Sequence, residues 1–212
     1  MKQPIQYGYS EFQRDTGVSR ETLDQFKIYA DTLLTWNKKI NLIGGSTEQD
    51  IWHRHFLDSA QIYPLISPNS QSLIDIGTGA GFPGMVLALL GCENVHLVES
   101  DHRKSAFLRE AARLSGANVK IHTVRMEEIS PFPVSTITAR AVASINDLLG
   151  LAEPFLTSDV LCVFLKGRNV EVELTEAHNI RETEVSRRPS RTDPDSTVVC
   201  MREVRRVKSS RS

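Results

Sequence analysis

The feature that most constrains the fold is a glycine-rich segment, Asp75-Ile76-Gly77-Thr78-Gly79-Ala80-Gly81-Phe82-Pro83-Gly84, which lies between two apolar runs. The order indicates a strand, a tight turn and a helix. Glycine at every second position leaves one side of the turn without Cβ atoms, so that a flat ligand can approach the backbone closely. The N–H groups of the following helix favour a carboxylate or phosphate. The segment therefore predicts a site for a nucleoside-type ligand.

Two acids help to distinguish the possible ligands. Asp75, at the end of the first strand, suits a cation better than a pyrophosphate, and S-adenosylmethionine carries a sulfonium and an ammonium. Glu99 ends the next apolar run about 20 residues later, where a ribose-binding acid is expected. The alternative is an NAD-dependent oxidoreductase, because Gly79-x-Gly81-x-x-Gly84 also matches the dinucleotide pattern. That reading needs a hydride-transfer partner such as a Tyr-x-x-x-Lys string, which the sequence lacks.

Apolar periodicity predicts one α/β unit with a mostly parallel, twisted sheet and helices on both faces, preceded by a helical extension. The extension covers residues 1–66 and the Rossmann-like domain residues 67–212. The expected strands are 72–77, 94–100, 119–124, 134–140, 159–165 and 197–201. The expected helices are 19–36, 48–65, 83–90, 102–115, 144–153 and one from about Val170.

Composition excludes several classes of protein. No apolar stretch approaches the length of a membrane span, and the first residues have no apolar signal core. The three cysteines are odd in number and far apart, which argues against disulfides and zinc and suits the cytoplasm. No cluster has metal-ligand spacing. Nothing in the sequence indicates an obligate dimer, and we expect a monomer.

The charge is unevenly distributed. The segment from Arg181 onward has nine Lys/Arg and five Asp/Glu, a net charge of +4, whereas the rest carries −5 of the overall −1. Arg187, Arg188 and Arg191 are therefore candidates for contacts with RNA phosphates. Residues 208–212 are expected to be a solvated end.

Other candidate residues lie at predicted strand ends. Arg125-Met126-Glu127-Glu128 follows the third strand and can place apolar and polar groups against an adenine, although it also reads as an ordinary helix start. Arg140 ends the fourth strand among small residues, which indicates a site residue. Lys166 ends the fifth, where it can either reach a phosphate or simply end the strand with Gly167.

The absence of two catalytic motifs limits the reactions that the sequence indicates. The sequence has neither a Pro-Cys nucleophile nor an Asp/Asn-Pro-Pro-aromatic tetrapeptide, so cytosine-C5 and amino methylation are not indicated. A methyl-donor pocket without an obvious base suits an acceptor that is already nucleophilic, such as guanine N7. Such a transfer depends on alignment rather than on proton abstraction.

Several strings together resemble the RsmG (glucose-inhibited division protein B) family of bacterial small-subunit ribosomal RNA guanine-N7 methyltransferases. They are Trp36–Leu42, His55–Ser59, the glycine segment, Arg125–Glu128, Arg140–Ser144 and Leu165–Gly167. The resemblance implies a class I S-adenosylmethionine-dependent fold, a cytoplasmic location and a guanine in a functional loop of 16S ribosomal RNA as acceptor. It also implies cofactor contacts at Gly77, Phe82, Met126, Glu127 and Arg140.

The extension carries its own candidates. His55 and Asp58 are three residues apart, on one face of a helix, where they can face the acceptor base and so, with Arg140, are the candidate catalytic residues. The alternative is a capping and packing pair. We expect Asn37, Lys38 and Arg54 to face RNA. A non-catalytic, methyltransferase-like RNA-binding protein remains a third reading, and the RNA partner can be free 16S RNA, a precursor or the small subunit.

Overall fold

The computed structural model describes residues 7–67 and 72–207. Within these ranges the chain forms a seven-stranded sheet in the order β3-β2-β1-β4-β5-β7-β6. Strands β1 to β5 are mutually parallel, and β7 runs antiparallel between β5 and β6. The strands are β1 Leu73–Ile76, β2 Val95–Val98, β3 Val119–His122, β4 Thr136–Arg140, β5 Leu161–Lys166, β6 Arg181–Pro189 and β7 Thr197–Arg206.

The strand order fixes where a ligand can bind. Strand β1 pairs with β2 on one side and with β4 on the other, so the direction in which the sheet is built reverses at β1. A crevice opens outside the carboxyl ends of parallel strands at such a point. The glycine turn follows β1 directly. The predicted α/β class with a mostly parallel sheet is confirmed.

The helices between the strands lie close to their predicted ranges. They are α4 Gly84–Leu89, α5 His102–Ser115, α6 Ile145–Ala152 and α7 Val170–His178. Helix α5 begins where Asp101 accepts hydrogen bonds from the amides of Arg103 and Lys104, and it ends at the left-handed Gly116. Two hydrophobic clusters cover the sheet, one containing α4, α5 and the extension, the other α6 and α7.

The extension begins as predicted and then departs from regular helix. Helices α1 Tyr9–Thr16 and α2 Arg20–Asn37 are α-helical. The single helix predicted for residues 48–65 is wrong. The chain forms a 3-10 segment Gly45–Asp50, a π-helical segment Trp52–Leu57, the short α3 Asp58–Ala60 and a 3-10 turn Tyr63–Leu65.

Aromatic packing accompanies the irregular geometry. Phe56 is fully buried and its ring centroid lies 4.8 Å from Trp52, 5.7 Å from Phe26 and 5.3 Å from Tyr29. The wider π-helical turn at this point changes the direction in which the neighbouring His55 and Asp58 project. Such turns are frequent at functional sites.

The basic C-terminal segment forms a strand that the sequence analysis does not predict. The sequence predicts a strand at 197–201 only, but Arg181–Pro189 forms a second strand that pairs with it. Strand β6 was missed because it lies at the sheet edge and alternates polar residues with few apolar ones. Its backbone pairing with β7 stabilises it instead. The prediction for residues 208–212 concerns a part of the chain outside the described residues.

The described residues contain no helix that is both long and apolar enough to cross a bilayer. Cys162 and Cys200 are buried in β5 and β7, and Cys92 is partly buried. All three are free thiols, and burial raises the pKa of Cys162 to about 12.

Two helical glycines provide a matched test of the packing between α4 and the sheet. A Cβ at Gly84 would lie 2.8 Å from the Asp75 Cβ and would also overlap the Leu97 side chain, whereas nothing lies within 4 Å of one at Gly150. Gly84→Ala should therefore destabilise the protein by about 1–3 kcal/mol through overpacking. Gly150→Ala should stabilise it by about 0.5–1 kcal/mol. Urea unfolding midpoints measure both, and equal midpoints for the two variants would contradict the tight packing.

Candidate active site

A cavity of about 670 Å³ opens at the carboxyl ends of β1, β4 and β5. Its walls come from the glycine turn, the end of β2, the loops after β4 and β5, the extension, and the β6–β7 loop. A cavity of this size falls in the range of cofactor sites. Six segments that are far apart in the sequence therefore supply groups to one space.

The glycine turn forms one wall. Gly77 and Gly79 line the cavity with φ values of +61° and +58°. A Cβ at Gly77 would lie 2.8 Å from both Val142 methyl groups, so only glycine leaves the wall open. The predicted place of these two residues at the ligand site agrees with the cavity lining.

Gly81 has a different function from the predicted one. It does not line the cavity, and a Cβ there would lie 2.5 Å from the Tyr29 hydroxyl. That hydroxyl donates a hydrogen bond to the Ala80 carbonyl. Gly81 thus admits a side chain of the extension rather than a ligand.

Asp75 also lies elsewhere than predicted. Its carboxylate is fully buried and accepts hydrogen bonds from Thr138 Oγ1 at 2.7 Å, Thr78 Oγ1 at 2.5 Å and the Gly84 amide at 2.9 Å. Burial raises the pKa of Asp75 to about 6, although these three donors oppose the shift. The expectation that Asp75 faces the cationic end of a ligand is wrong. It joins strand, turn and helix beneath the cavity.

Glu99 lines the cavity from the end of β2. Its Oε2 accepts the Gly79 amide at 3.0 Å and its Oε1 accepts the Asp101 amide at 2.8 Å. Because each carboxylate oxygen has two lone pairs, both keep one acceptor position. Glu99 can therefore hold the glycine turn and still accept hydrogen bonds from hydroxyl groups in the cavity.

Met126 and Glu127 do not reach this cavity. They form a 3-10 turn after β3, in which Met126 is buried in the second hydrophobic cluster and Glu127 is exposed. Their contact with an adenine stays a prediction that the cavity lining does not support.

Arg140 is a charged group of the cavity that is held by several contacts. Its Nη1 donates to Asp58 Oδ2 and to the Arg54 carbonyl, each at 3.2 Å, and its Nη2 lies 2.8 Å from His55 Nδ1. The guanidinium also lies 4.8 Å from the Phe82 ring centroid. Arg140, Asp58 and His55, predicted to act together, are brought together.

His55 is held neutral in this cluster. Burial, Arg140 and Arg54 lower its pKa to about 3. A neutral ring with a proton on Nε2 satisfies both contacts, because Nδ1 then accepts from Arg140 and Nε2–H donates to Thr47 Oγ1 at 2.8 Å. The ring stacks on Phe82, which lines the cavity, with centroids 5.1 Å apart.

The β6–β7 loop forms a wall that the sequence analysis missed. Thr192 donates to Asp58 Oδ1 at 2.7 Å, and the Arg191 amide donates to Gln61 Oε1 at 2.8 Å. Ser190 and Thr192 both line the cavity. The turn-forming string Ser190–Asp195 indicates such a loop in the sequence. It does so only if the residues before it, in β6, are also recognised as a strand.

The predicted RNA-binding residues of the extension divide into two groups. Asn37 is occupied within its loop, since its Oδ1 accepts the amides of Leu42 and Ile43 and its Nδ2 donates to Glu48. Lys38 is exposed at the end of α2. Arg54 lines the cavity, where it donates to the Thr192 carbonyl at 3.2 Å and pairs with Asp193 at 3.1 Å.

Lys166 is a structural residue in this geometry. It is 8% exposed, donates to the Ala143 carbonyl at 2.6 Å and pairs with Glu173 at 2.7 Å. Although it borders the cavity, its ammonium group fixes the loop after β4. The expectation that it reaches out to a phosphate is not supported.

The three arginines proposed to contact phosphates do not converge on the cavity lining. Arg187 pairs with Glu171 on α7, and Arg191 lies 3.8 Å from Asp15. Arg188 is exposed on the edge strand β6. Their contact with RNA stays a prediction.

Comparison with known proteins identifies related chains. A family model described as rRNA small subunit methyltransferase G matches residues 22–194. The ribosomal RNA small subunit methyltransferase G of Paramagnetospirillum magneticum is 48% identical over 199 residues, which cover 94% of this chain and 97% of that protein.

Solved structures support the fold alone. A ribosomal protein L11 methylase from Lactobacillus delbrueckii subsp. bulgaricus has a TM-score of 0.57 at 15% identity, covering 75% of this chain and 79% of that one. A Pyrococcus abyssi tRNA (uracil-54, C5)-methyltransferase in complex with S-adenosyl-L-homocysteine has a TM-score of 0.51 at 15% identity, covering 68% and 36%.

The family match spans most of the sheet, the glycine turn and the Arg140 cluster. The oxidoreductase alternative is wrong, because the matching family consists of methyltransferases. The chain belongs to the rRNA small subunit methyltransferase G family.

Proposed function

We propose that the protein transfers a methyl group from S-adenosylmethionine to N7 of a specific guanine in 16S ribosomal RNA. Family membership supports the reaction class. The location of the active site is inferred from one observation: the guanidinium of Arg140 is held in a fixed position beside a cavity that is walled by Gly77 and Gly79. We place the reaction in the cytoplasm, on the small subunit or its precursor, with the protein acting as a monomer.

The residues present fit the cofactor. Gly77 and Gly79 give a wall without side chains, and Glu99 keeps free acceptor positions for the hydroxyls of a ribose. Phe82 and Arg140 border the same space, and Met126 with Glu127 remain the proposed contacts of the adenine. When bound, S-adenosylmethionine supplies an electrophilic methyl group on a sulfonium.

The chain's own contribution is alignment. Guanine N7 has a free lone pair at neutral pH, so no side chain has to remove a proton. Arg140 has five N–H donors, of which three are directed at Asp58, His55 and the Arg54 carbonyl. The remaining two can donate to a carbonyl oxygen of the base or to a carboxylate without any reorganisation of the side chain.

The acceptor side of the cavity is built around Asp58. One of its oxygens accepts from Arg140 and the other from Thr192, so the β6–β7 loop and the guanidinium are joined through one carboxylate. We assign this loop to the wall that receives the base. Thr192 is a positioning residue, because it acts on Arg140 through Asp58.

The first test is methyl transfer from labelled S-adenosylmethionine to small ribosomal subunits from cells that lack the gene. Borohydride–aniline cleavage then maps N7-methylguanine. We expect one new cut with the wild-type protein, and a kcat lowered roughly 10²–10³-fold in Arg140→Ala, because a preorganised donor is lost. Arg113→Ala, at an exposed arginine that pairs with Glu110, should keep the wild-type rate.

Cofactor binding with no incorporation into subunits, precursors or free RNA would contradict the proposed reaction. The non-catalytic, RNA-binding reading would then replace it. S-adenosylhomocysteine raising the melting temperature establishes cofactor binding separately from transfer.

The Asp58–Thr192 bond gives a second test. Thr192→Val removes the hydroxyl from a site where Thr192 is 7% exposed, and it should lower kcat about tenfold with little change in S-adenosylhomocysteine affinity. Thr192→Ser keeps the hydroxyl and should restore the rate. Equal rates for the Val and Ser variants would show that the bond does not position Arg140.

The lowered pKa of His55 gives a third test. In the unfolded chain the His55 ring takes up a proton when the pH falls below its ordinary pKa of 6.5. In the folded protein the pKa is about 3, so the ring takes up a proton only near pH 3. The stability contributed by the neutral ring is therefore complete above pH 6.5 and is lost as the pH falls toward 3. The free energy of unfolding should fall less between pH 7 and 5 in His55→Gln than in the wild type.

Urea unfolding at the two pH values measures this difference. The lowered pKa of His96 acts in the same sense, and the raised pKa of Asp75 in the opposite sense, but both are present in the two proteins and cancel. A His55 imidazole that titrates near its ordinary value by NMR would overturn the neutral assignment.

A further inference from the structure

A basic groove lies next to the cavity, between the end of α2 and the start of α5. It has a volume of about 340 Å³ and is lined by Lys39, Ile40, Asn41, Asp101, Arg103 and Lys104. Three of these six residues are cations and one is an acid. The local excess of positive charge contrasts with the overall charge of −1.

The single acid does not neutralise the groove. Asp101 caps helix α5, since its Oδ1 accepts the amides of Arg103 and Lys104 at 2.7 and 3.1 Å. Its carboxylate also forms a long salt bridge to Arg103, at 3.9 Å. Among the salt bridges within residues 7–67 and 72–207, none involves Lys38, Lys39 or Lys104.

The basic C-terminal segment shows the opposite situation. Most of its arginines already have carboxylate partners: Arg181 and Arg206 pair with Glu153, Arg187 with Glu171, Arg191 with Asp15 and Arg205 with Glu203. A paired cation gains less from a phosphate, because the existing pair must be broken or shared. The charge count of the sequence therefore overstates how many of these cations are available to phosphates.

The position of the groove connects it to the cavity. Lys104 lines both spaces, so the groove continues the cavity from its Glu99 side. A strand of RNA whose base occupies the cavity has to carry its neighbouring phosphates across the adjacent surface. Phosphate contacts of this kind fix the register of a nucleic acid without reading its sequence.

We propose that this groove, with Lys38 beside it, holds RNA phosphates next to the target nucleotide. This inference rests on the proposed function for the identity of the substrate. It moves the main electrostatic contact from the C-terminal arginines to Lys39, Arg103 and Lys104. Of these, Lys39 and Arg103 do not line the cavity, so they can be changed without touching the cofactor site.

The helix pair supplies a matched control. Helices α2 and α5 pack antiparallel, since Trp36 contacts Phe107 near one end and a Cβ at Gly116 would lie 3.1 Å from Gln25 near the other. Arg20 and Arg113 therefore lie at the end remote from the groove. The variants Lys39→Gln/Arg103→Gln and Arg20→Gln/Arg113→Gln each remove two positive charges, one from α5 and one from α2 or the turn directly after it.

The experiment measures filter binding of a radiolabelled 16S RNA transcript, and of small subunits, across a series of salt concentrations. We expect the groove variant to bind about tenfold more weakly than wild type, with the slope of log affinity against log salt reduced by about 1.4, as for two lost phosphate contacts to a single strand. The control variant should bind as wild type. Melting temperature and S-adenosylhomocysteine affinity should be unchanged in both variants.

In the methylation assay the groove variant should raise KM for RNA and leave kcat unchanged. Equal affinity and slope in the groove variant and wild type would overturn the inference, as would a wild-type protein whose RNA affinity does not depend on salt. The control variant losing as much affinity as the groove variant would show only a general charge effect and would also overturn it. Groove-dependent binding without methyl transfer would leave this inference standing and overturn the proposed function.

Discussion

The buried carboxylate of Asp75 is the interaction on which the rest of the site depends. It is fully buried, yet it accepts hydrogen bonds from the neighbouring strand, the glycine turn and the first amide of α4. An unpaired carboxylate in such a place would be very costly, so these donors are needed for the charged form to persist. Because one group connects three elements, the turn that walls the cavity has a fixed shape before any ligand arrives.

The second constraint is the convergence on Arg140. Its partners Asp58 and His55 lie in the extension, more than eighty residues away in the sequence. Asp58 is in turn joined to Thr192 in the β6–β7 loop. A guanidinium held by several acceptors loses little further entropy when it meets a substrate. The extension and the C-terminal hairpin are therefore parts of the site, although neither belongs to the parallel part of the sheet.

The number of charged residues in a segment does not show which of them are paired in the folded protein. The arginines of the C-terminal segment count as a basic surface in the sequence, but in the fold several of them lie beside Glu153, after α6, and Glu171, on α7. Lys39, Arg103 and Lys104 come from two separate segments, so the sequence gives no sign of a cluster. Packing of α2 on α5 brings them to one groove.

The sequence by itself determined the fold class, the strand–turn–helix at residues 73–89 and the glycines that line the cavity. These follow from local rules, because apolar period, glycine geometry and strand ends are encoded by neighbouring residues. Only the tertiary structure decided that Asp75 and Gly81 face the protein rather than a ligand, that Lys166 is occupied, and that residues 181–189 form a strand. The orientation of a side chain and the ion-pair partner of a charged group depend on residues that are distant in the sequence. A local sequence pattern therefore cannot predict them.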